Sequence, residues 1–163
     1  MVSTRQSRQE GHRRKFLVII DGTPEADRAV RYAAMRARNS NGGLVFLYVI
    51  ADTDFEHWLG VQEIMQAEAT EEAEATLAKE AQKVRETIGI DPEIVVKVGN
   101  SVEQILAVIE EDRDIAILVL ATGASKEGPG PLVSSVAGRG VGFPIPVTVI
   151  PGGLSDDEID CLA

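Results

Sequence analysis

The residues of this chain with side chains suited to catalysis or ligand binding directly follow runs of apolar residues. One group follows the apolar run 16–20, and a second follows the apolar run 115–121. Buried strands of a parallel sheet have such runs, and ligands bind beyond the carboxyl ends of these strands, where the strand order reverses. We therefore expect a ligand site between the two groups, formed by Asp21, Gly22, Thr23, Thr122 and Gly123.

The segment that begins at Gly123 has the residue types that bind phosphate. Its glycines allow backbone N–H groups to approach an anion closely, and Lys126 adds a positive charge. Ser134 and Ser135 are expected at a helix start, where hydroxyls and free amides meet phosphate. A structural role competes with this interpretation: the two serines could simply cap the helix, and Asp21 could be a turn or capping carboxylate.

Other familiar sites are missing from the sequence. It contains no G-x-G-x-x-G after the first strand, no phosphate-binding loop of the G-x-x-x-x-G-K-[ST] type and no G-x-S-x-G. The acidic loop 51–61 contains Asp52, Asp54, Glu56 and His57, which we interpret as solvated residues rather than ligands of a metal. We expect no metal site and no catalytic residue.

The elements that must position these residues alternate between strand and helix. The order β-α-β-α-β-α-β-α-β predicts an α/β fold with a single doubly wound five-stranded parallel sheet flanked by helices. Thr23 is expected to cap the first helix and Ser101 the third. The expected strands cover residues 16–20, 44–50, 93–98, 115–121 and 146–150; the expected helices begin near 24, 62, 101 and 132.

Charge and composition divide the chain into three parts. Residues 1–15 have five basic side chains and one acidic one and are expected to be a disordered basic arm; 16–151 is the α/β domain; 152–163 is expected to be an acidic flexible tail. The net charge of −10 argues against a nucleic-acid partner or an anionic membrane. No apolar run approaches the roughly 20 residues of a membrane span. The single cysteine, Cys161, suits a cytoplasmic protein.

Residues 15–151 resemble the universal stress protein family. The resemblance rests on Asp21-Gly22-Thr23 after the first strand, on residues 98–101, on the strand that enters the glycine loop, and on residues 143–150. It implies that Asp21 meets the adenine or ribose of ATP or AMP and that the backbone of Val49 contacts the base. It also implies that Ser134, Ser135 and Val136 match the end of the family's nucleotide motif.

That motif is G-x-x-G, nine residues, then G-[ST], and this chain departs from it. Gly123 matches the first glycine, but Lys126 stands at the second and Ser134 at the third, and the loop is about two residues short. Because the glycines allow backbone amides to reach phosphate, we expect weaker ATP binding than in relatives with the full motif.

The resemblance and the sequence both predict a homodimer. The last strand is apolar and is expected at a sheet edge, where unpaired N–H and C=O groups need a cover. Antiparallel pairing with its own copy would satisfy them in a twofold contact, whereas a tail folded back over the edge is the alternative. The expected interface residues are Pro146, Val147, Thr148, Val149 and Ile150.

Three functions remain open on this evidence. The favoured one is a non-enzymatic regulatory or stress-response protein that binds an adenine nucleotide weakly. The second is a module of the same fold that binds no nucleotide and acts through an unknown protein partner. The third is a slow ATPase, which we disfavour because no base or metal-binding pair of carboxylates is placed to activate water.

Overall fold

Five apolar segments form one parallel sheet. The computed structural model describes residues 3–51, 62–123, 130–139 and 142–163. The strand order across the sheet is β3-β2-β1-β4-β5, with all neighbours parallel, which confirms the predicted fold class. The strands are β1 (Lys15–Ile19), β2 (Gly43–Ile50), β3 (Glu93–Val98), β4 (Ile115–Ala121) and β5 (Val147–Ile150).

Helices cover both faces of this sheet. They are α1 (Ala26–Asn39), α2 (Gln62–Thr87), α3 (Ser101–Glu111), α4 (Pro131–Ala137) and α5 (Asp156–Leu162). Buried residues of α1, α2 and α5 share one core with the sheet, and those of α3 and α4 share the core on the opposite face. Within the described ranges, no helix combines the length and apolarity needed to cross a membrane.

The central strand β1 is buried on both sides. The side chain of Val18 faces the core under α1 and α2, and that of Leu17 faces the core under α3 and α4. Since β1 pairs with β2 on one side and β4 on the other, the strand order reverses beside it. The switch point of the sheet therefore lies between the carboxyl ends of β1 and β4, as the sequence predicts.

Two expected helix caps were wrong. The cap of α3 is Asn100 rather than Ser101: its side chain accepts hydrogen bonds from the backbone N–H groups of Val102 and Glu103, both at 3.1 Å. Helix α1 begins at Ala26, after a turn, and Thr23 does not cap it. The residue at the N-cap position is Glu25, and the Thr23 hydroxyl donates to Asp21.

The acidic segment expected to be a flexible tail contains the helix α5. It begins with a capping box, in which Ser155 and Glu158 each bind the other's backbone N–H. Ile159 is fully buried against the core under α1. Arg31 of α1 binds the Asp160 carboxylate through two nitrogens, at 2.8 and 2.7 Å, and holds the pKa of Asp160 below its ordinary value.

The amino-terminal arm also makes defined contacts. Residues 3–14 contain turns but no helix or strand, and they lie against the end of α3. Arg5 is only half-buried, and most of the arm is exposed, so polar contacts rather than apolar burial hold it. The expectation of disorder overlooked these contacts because their partners lie about a hundred residues away along the chain.

The first prediction concerns the anchor of α5. Replacing Ile159 by Ala removes a fully buried side chain and should lower the free energy of unfolding by about 2 kcal/mol or more. Leu162, in the same helix, is 64% exposed, so Leu162→Ala is the matched control and should change stability by less than about 0.5 kcal/mol. Urea unfolding followed by circular dichroism measures both, and equal effects of the two variants would show that α5 is not anchored through Ile159.

Candidate functional site

The carboxyl rim of β1 and β4 brings the two predicted groups of residues onto the same side of the sheet. Because the two strands are adjacent and parallel, residues 21–23 and residues 122–123 leave the sheet side by side. Asp21, Gly22 and Thr23 are exposed, and Thr122 and Gly123 are half-buried. The rim therefore has an open side that a small molecule can reach.

Asp21 holds a tight turn at this rim. Its Oδ1 accepts hydrogen bonds from the backbone N–H of Thr23 at 3.0 Å and from the Thr23 hydroxyl at 2.6 Å. Gly22 between them has a φ of +76°, a conformation that costs little only for glycine. Oδ2 makes no hydrogen bond within the described residues. The carboxylate thus closes the turn with one oxygen and still has a second oxygen that can accept a hydrogen bond.

The backbone of Val49 points towards the same rim. The C=O of Leu47 accepts from Ile20 of the β1 side at 2.8 Å, and the C=O of Ile50 accepts from Gly99 of the β3 side at 2.9 Å. Backbone groups alternate between the two sides of a strand, so the N–H and C=O of Val49 point to the β1 side. They lie beyond the last described hydrogen bond between β1 and β2, where they could contact the edge of a base.

Thr122 connects β4 to the chain that follows β5. Its N–H donates to the C=O of Ile150 at 2.9 Å, and its hydroxyl accepts from the N–H of Gly152 at 3.2 Å. Gly152 is a contributor to the rim that the sequence did not reveal, since no motif links positions 122 and 152. The predicted residue Lys126 lies outside the described residues, between Gly123 and Gly130.

Helix α4 corrects the expected position of the serines. It begins at Pro131, with Gly130 as its N-cap, so Ser134 and Ser135 are not at the helix start. The N–H of Ser134 donates to the C=O of Gly130 at 3.1 Å and is not free for phosphate. Both serines are exposed, whereas the side chain of Val136 is buried in the core. Of these two serines, only the hydroxyls are left to meet a ligand.

The residues that the structure describes contain no group of three His, Cys, Asp or Glu side chains close enough to hold a metal ion. The loop with Asp52, Asp54, Glu56 and His57 lies outside them. Among the described residues, the rim is therefore built from one carboxylate turn, the backbone groups of Val49 and hydroxyls. Such a set can bind a small polar molecule by hydrogen bonds.

Strand β5 forms an edge of the sheet, as predicted. Leu118 of β4 donates to the C=O of Pro146, just before β5, and Thr122, just after β4, donates to the C=O of Ile150, so the even-numbered positions of β5 point to β4. The N–H and C=O of Val147 and Val149 consequently point to the free edge. An apolar groove of about 360 Å³ runs beside this edge. Its lining comprises Leu120, Val133, Val136, Ala137, Phe143, Ile145, Pro146, Val147 and Val149.

The second prediction tests the turn at the rim. An added Cβ meets no neighbouring atom at Gly22 or at Gly153, but only Gly22 has a positive φ. Gly22→Ala should therefore destabilise the protein by about 1 kcal/mol, whereas Gly153→Ala should be near neutral. Urea unfolding gives both values. Equal values would mean that the turn accepts other conformations and does not fix Asp21.

Solved structures with the same fold share little sequence with this chain. Universal stress protein UspA from Lactobacillus plantarum is 23% identical, with a TM-score of 0.68, over 84% of this chain and 97% of that one. A universal stress protein from Burkholderia pseudomallei is 22% identical, with a TM-score of 0.60, over 84% and 95% of the two chains. A universal stress protein in complex with cAMP is 18% identical, with a TM-score of 0.61, over 86% and 98%.

The sequence itself gives the family. No curated protein matches the chain. The model of the universal stress protein family matches residues 12–151, which include all five strands and the rim residues Asp21, Val49 and Thr122. The chain belongs to the universal stress protein family.

Proposed function

We propose that this protein is a homodimeric, non-enzymatic regulator that binds an adenine nucleotide weakly at the carboxyl rim of β1 and β4. The observation that carries the proposal is the juxtaposition, beside the switch point, of the Asp21 turn with the backbone N–H and C=O of Val49, which have no hydrogen-bond partner among the described residues. A carboxylate oxygen can accept from ribose hydroxyls, and a backbone N–H and C=O pair can meet the edge of adenine. A cytoplasmic setting belongs to the proposal because it keeps Cys161 reduced.

The phosphate side of the rim supports weak rather than tight binding. Pro131 has no N–H, and the N–H of Ser134 is already bonded within α4. Phosphate would depend on the loop after Gly123 and on Lys126, a position where the family motif has glycine. The relative solved with cAMP is a universal stress protein with a singly charged nucleotide, so AMP and cAMP belong beside ATP among the ligands to test.

The two edges of the sheet differ in a way that supports dimerisation through β5. Edge strand β3 has Glu93 and Lys97, which form ion pairs with Lys15 and Glu111. Charges on an edge strand oppose pairing with another chain. Strand β5 has no charged residue, Val149 is 40% exposed, and the apolar groove lies beside it. A second copy that adds its own β5 would satisfy the outward N–H groups and cover the groove.

The third prediction concerns the ligand contact of Asp21. Asp21→Ala should weaken adenine nucleotide binding about tenfold or more, because a hydrogen bond to a charged group contributes roughly 1.5–3 kcal/mol. Isothermal titration calorimetry with ATP, AMP and cAMP in turn measures the affinities. A thermal shift series with the same ligands checks the result, since a ligand that binds only the native state raises the melting temperature.

Asp21→Asn separates the ligand contact from the turn. Asparagine keeps an oxygen that can accept both bonds from Thr23 but loses the second acceptor and the charge. Affinity lost in both variants supports direct contact with the ligand. If only the alanine variant loses affinity, Asp21 acts through the turn. If the native protein binds none of the three nucleotides, the protein acts through a protein partner instead. Phosphate release from ATP would contradict a non-enzymatic role.

The fourth prediction concerns assembly. The N–H of Val149 points to the free edge, so Val149→Pro removes a donor that only a second chain would use. Light scattering should show the native protein near twice 17.5 kDa and the Val149→Pro variant shifted towards the monomer with its fold intact. A native protein that scatters as a monomer at micromolar concentration would rule out the dimer.

Thr148→Pro is the matched control for this edge. The N–H of Thr148 points to β4, so proline there breaks the ladder within the chain. The Thr148→Pro variant should lower the melting temperature. Val149→Pro should lower it much less, after the stabilisation that is lost with the dimer is subtracted. If both variants stay dimeric and folded, the interface lies elsewhere.

A further inference from the structure

The carboxyl-terminal end of α3 concentrates negative charge. Glu110, Glu111, Asp112 and Asp114 follow one another there, and the last turn of the helix has no basic residue. The end of a helix already has a partial negative charge from its free carbonyl groups. Carboxylates at this end repel each other and the helix dipole, so cations from elsewhere in the chain stabilise the end of α3.

Three of these four carboxylates pair with a cation from outside the helix, and Asp114 lies within hydrogen-bonding distance of the His12 imidazole. Arg5 and His12 belong to the arm 3–14, Lys15 lies at the start of β1, and Lys97 lies on β3. The pairs are Arg5 with Glu110 at 3.9 Å, His12 with Asp114 at 3.0 Å, Lys15 with Asp112 at 2.8 Å, and Lys97 with Glu111 at 2.9 Å.

Arg5 caps α3 from the arm. Its Nη1 donates to the C=O groups of Ile109 at 2.5 Å, Asp112 at 3.2 Å and Ile115 at 3.3 Å. The Arg5 side chain is only 19% exposed, so these bonds are partly shielded from water. One guanidinium thus donates hydrogen bonds to carbonyl groups of α3 and of the first residue of β4. Among the described residues, no side chain within α3 makes both of these contacts.

The chain around Arg5 follows the same surface. The backbone N–H of Ser3 donates to Glu110 at 2.8 Å, and hydrogen bonds from Ser3 are the main reason that the pKa of Glu110 lies below its ordinary value. The N–H of Gln6 donates to the C=O of Arg113 at 3.0 Å, and Arg113 in turn donates to the C=O of Thr4 at 3.0 Å. The arm therefore both donates hydrogen bonds to the end of α3 and accepts one from the residues that follow it.

We propose that the acidic end of α3 is a docking site for a basic segment, and that its occupant is the chain's own arm, residues 3–14, bound reversibly and released by salt. Residues 3–11 lie outside the part of the chain that matches the family model, so most of the arm is an addition to the family domain.

The composition of the arm is the reason that docking is reversible. Residues 3–14 contain no large apolar side chain, so hydrophobic burial adds nothing to their attachment. Charge-assisted contacts at the surface weaken with salt, because the Debye length falls from about 30 Å at 0.01 M to about 3 Å at 1 M. High ionic strength should therefore free a segment rich in arginine and expose the carboxylates of α3.

The test is hydrogen–deuterium exchange of the full-length protein at about 0.02 M and about 1 M sodium chloride. Exchange in peptides that cover residues 3–14 should be slow at low salt and at least about tenfold faster at high salt. Arg5→Ala should give fast exchange already at low salt. Arg8→Ala is the matched control, since Arg8 is exposed and makes no hydrogen bond or ion pair with the part of the chain that is described; it should exchange like the native protein.

Further measurements distinguish release of the arm from unfolding and from contact with a second copy. Slow hydrogen exchange in β1 shows that the fold is intact. If Arg5→Ala loses this protection of β1, Glu110→Gln tests the docking site from the other side. The Glu110→Gln variant should also speed exchange in the arm. Unchanged protection of the arm at high salt, or equal effects of Arg5→Ala and Arg8→Ala, would overturn the proposal. Protection that rises with protein concentration would also overturn it, because the occupant would then be the arm of a second copy.

Discussion

The structure depends on the burial of the apolar residues of β1 between two parallel neighbours. Leu17 and Val18 are 0% exposed, so both faces of this strand must be covered by helices. Parallel neighbours require a crossover for every strand, and the crossovers after β1 and after β3 run to opposite sides of it. The reversal of strand order beside β1 is the result. It leaves the segments after β1 and β4 adjacent and free of helical cover at their carboxyl ends, and for this reason polar groups that follow these two strands can act together.

The strands were predictable because burial on both faces requires uninterrupted apolar runs. Every predicted strand end lies within one residue of the observed one. The buried stripe of α2, which includes Leu77, Ala81 and Val84, was also readable from its spacing. Helix α5 was missed because Ile159 is an isolated apolar residue among acidic ones. The spacing of Ser155 and Glu158 was the available signal in the sequence. The attraction between α5 and the arginines of α1 can be recognised only in the folded structure, where the two helices are neighbours.

The candidate site was predictable in its location but not in its hydrogen bonds. Asp21 was found because it follows a strand, yet the sequence left open whether it holds a turn or a ligand; the structure shows the turn, and one oxygen remains available. The position of Ser134 depends on where α4 begins, and Pro131 starts the helix earlier than expected. The direction of each amide in β5 depends on its register with β4, which the sequence does not determine. Local patterns thus find the rim, whereas competition between nearby partners decides what each group at the rim can bind.

The amino-terminal arm and the helix α5 attach to the sheet domain by the same electrostatic rule but with different strength. The acidic helix α5 binds Arg28 and Arg31 of α1, and the basic arm binds the carboxylates at the end of α3. In a protein with a net charge of −10, the arm brings Arg5 to a helix end that has four carboxylates close together and no basic residue in its last turn. Exposed ion pairs alone contribute at most about 1 kcal/mol each, so a segment needs an apolar anchor to remain attached at high salt. Ile159 provides that anchor for α5 and nothing in residues 3–14 provides it for the arm, so the carboxyl-terminal helix is a fixed part of the fold and the arm is the part that ionic strength can move.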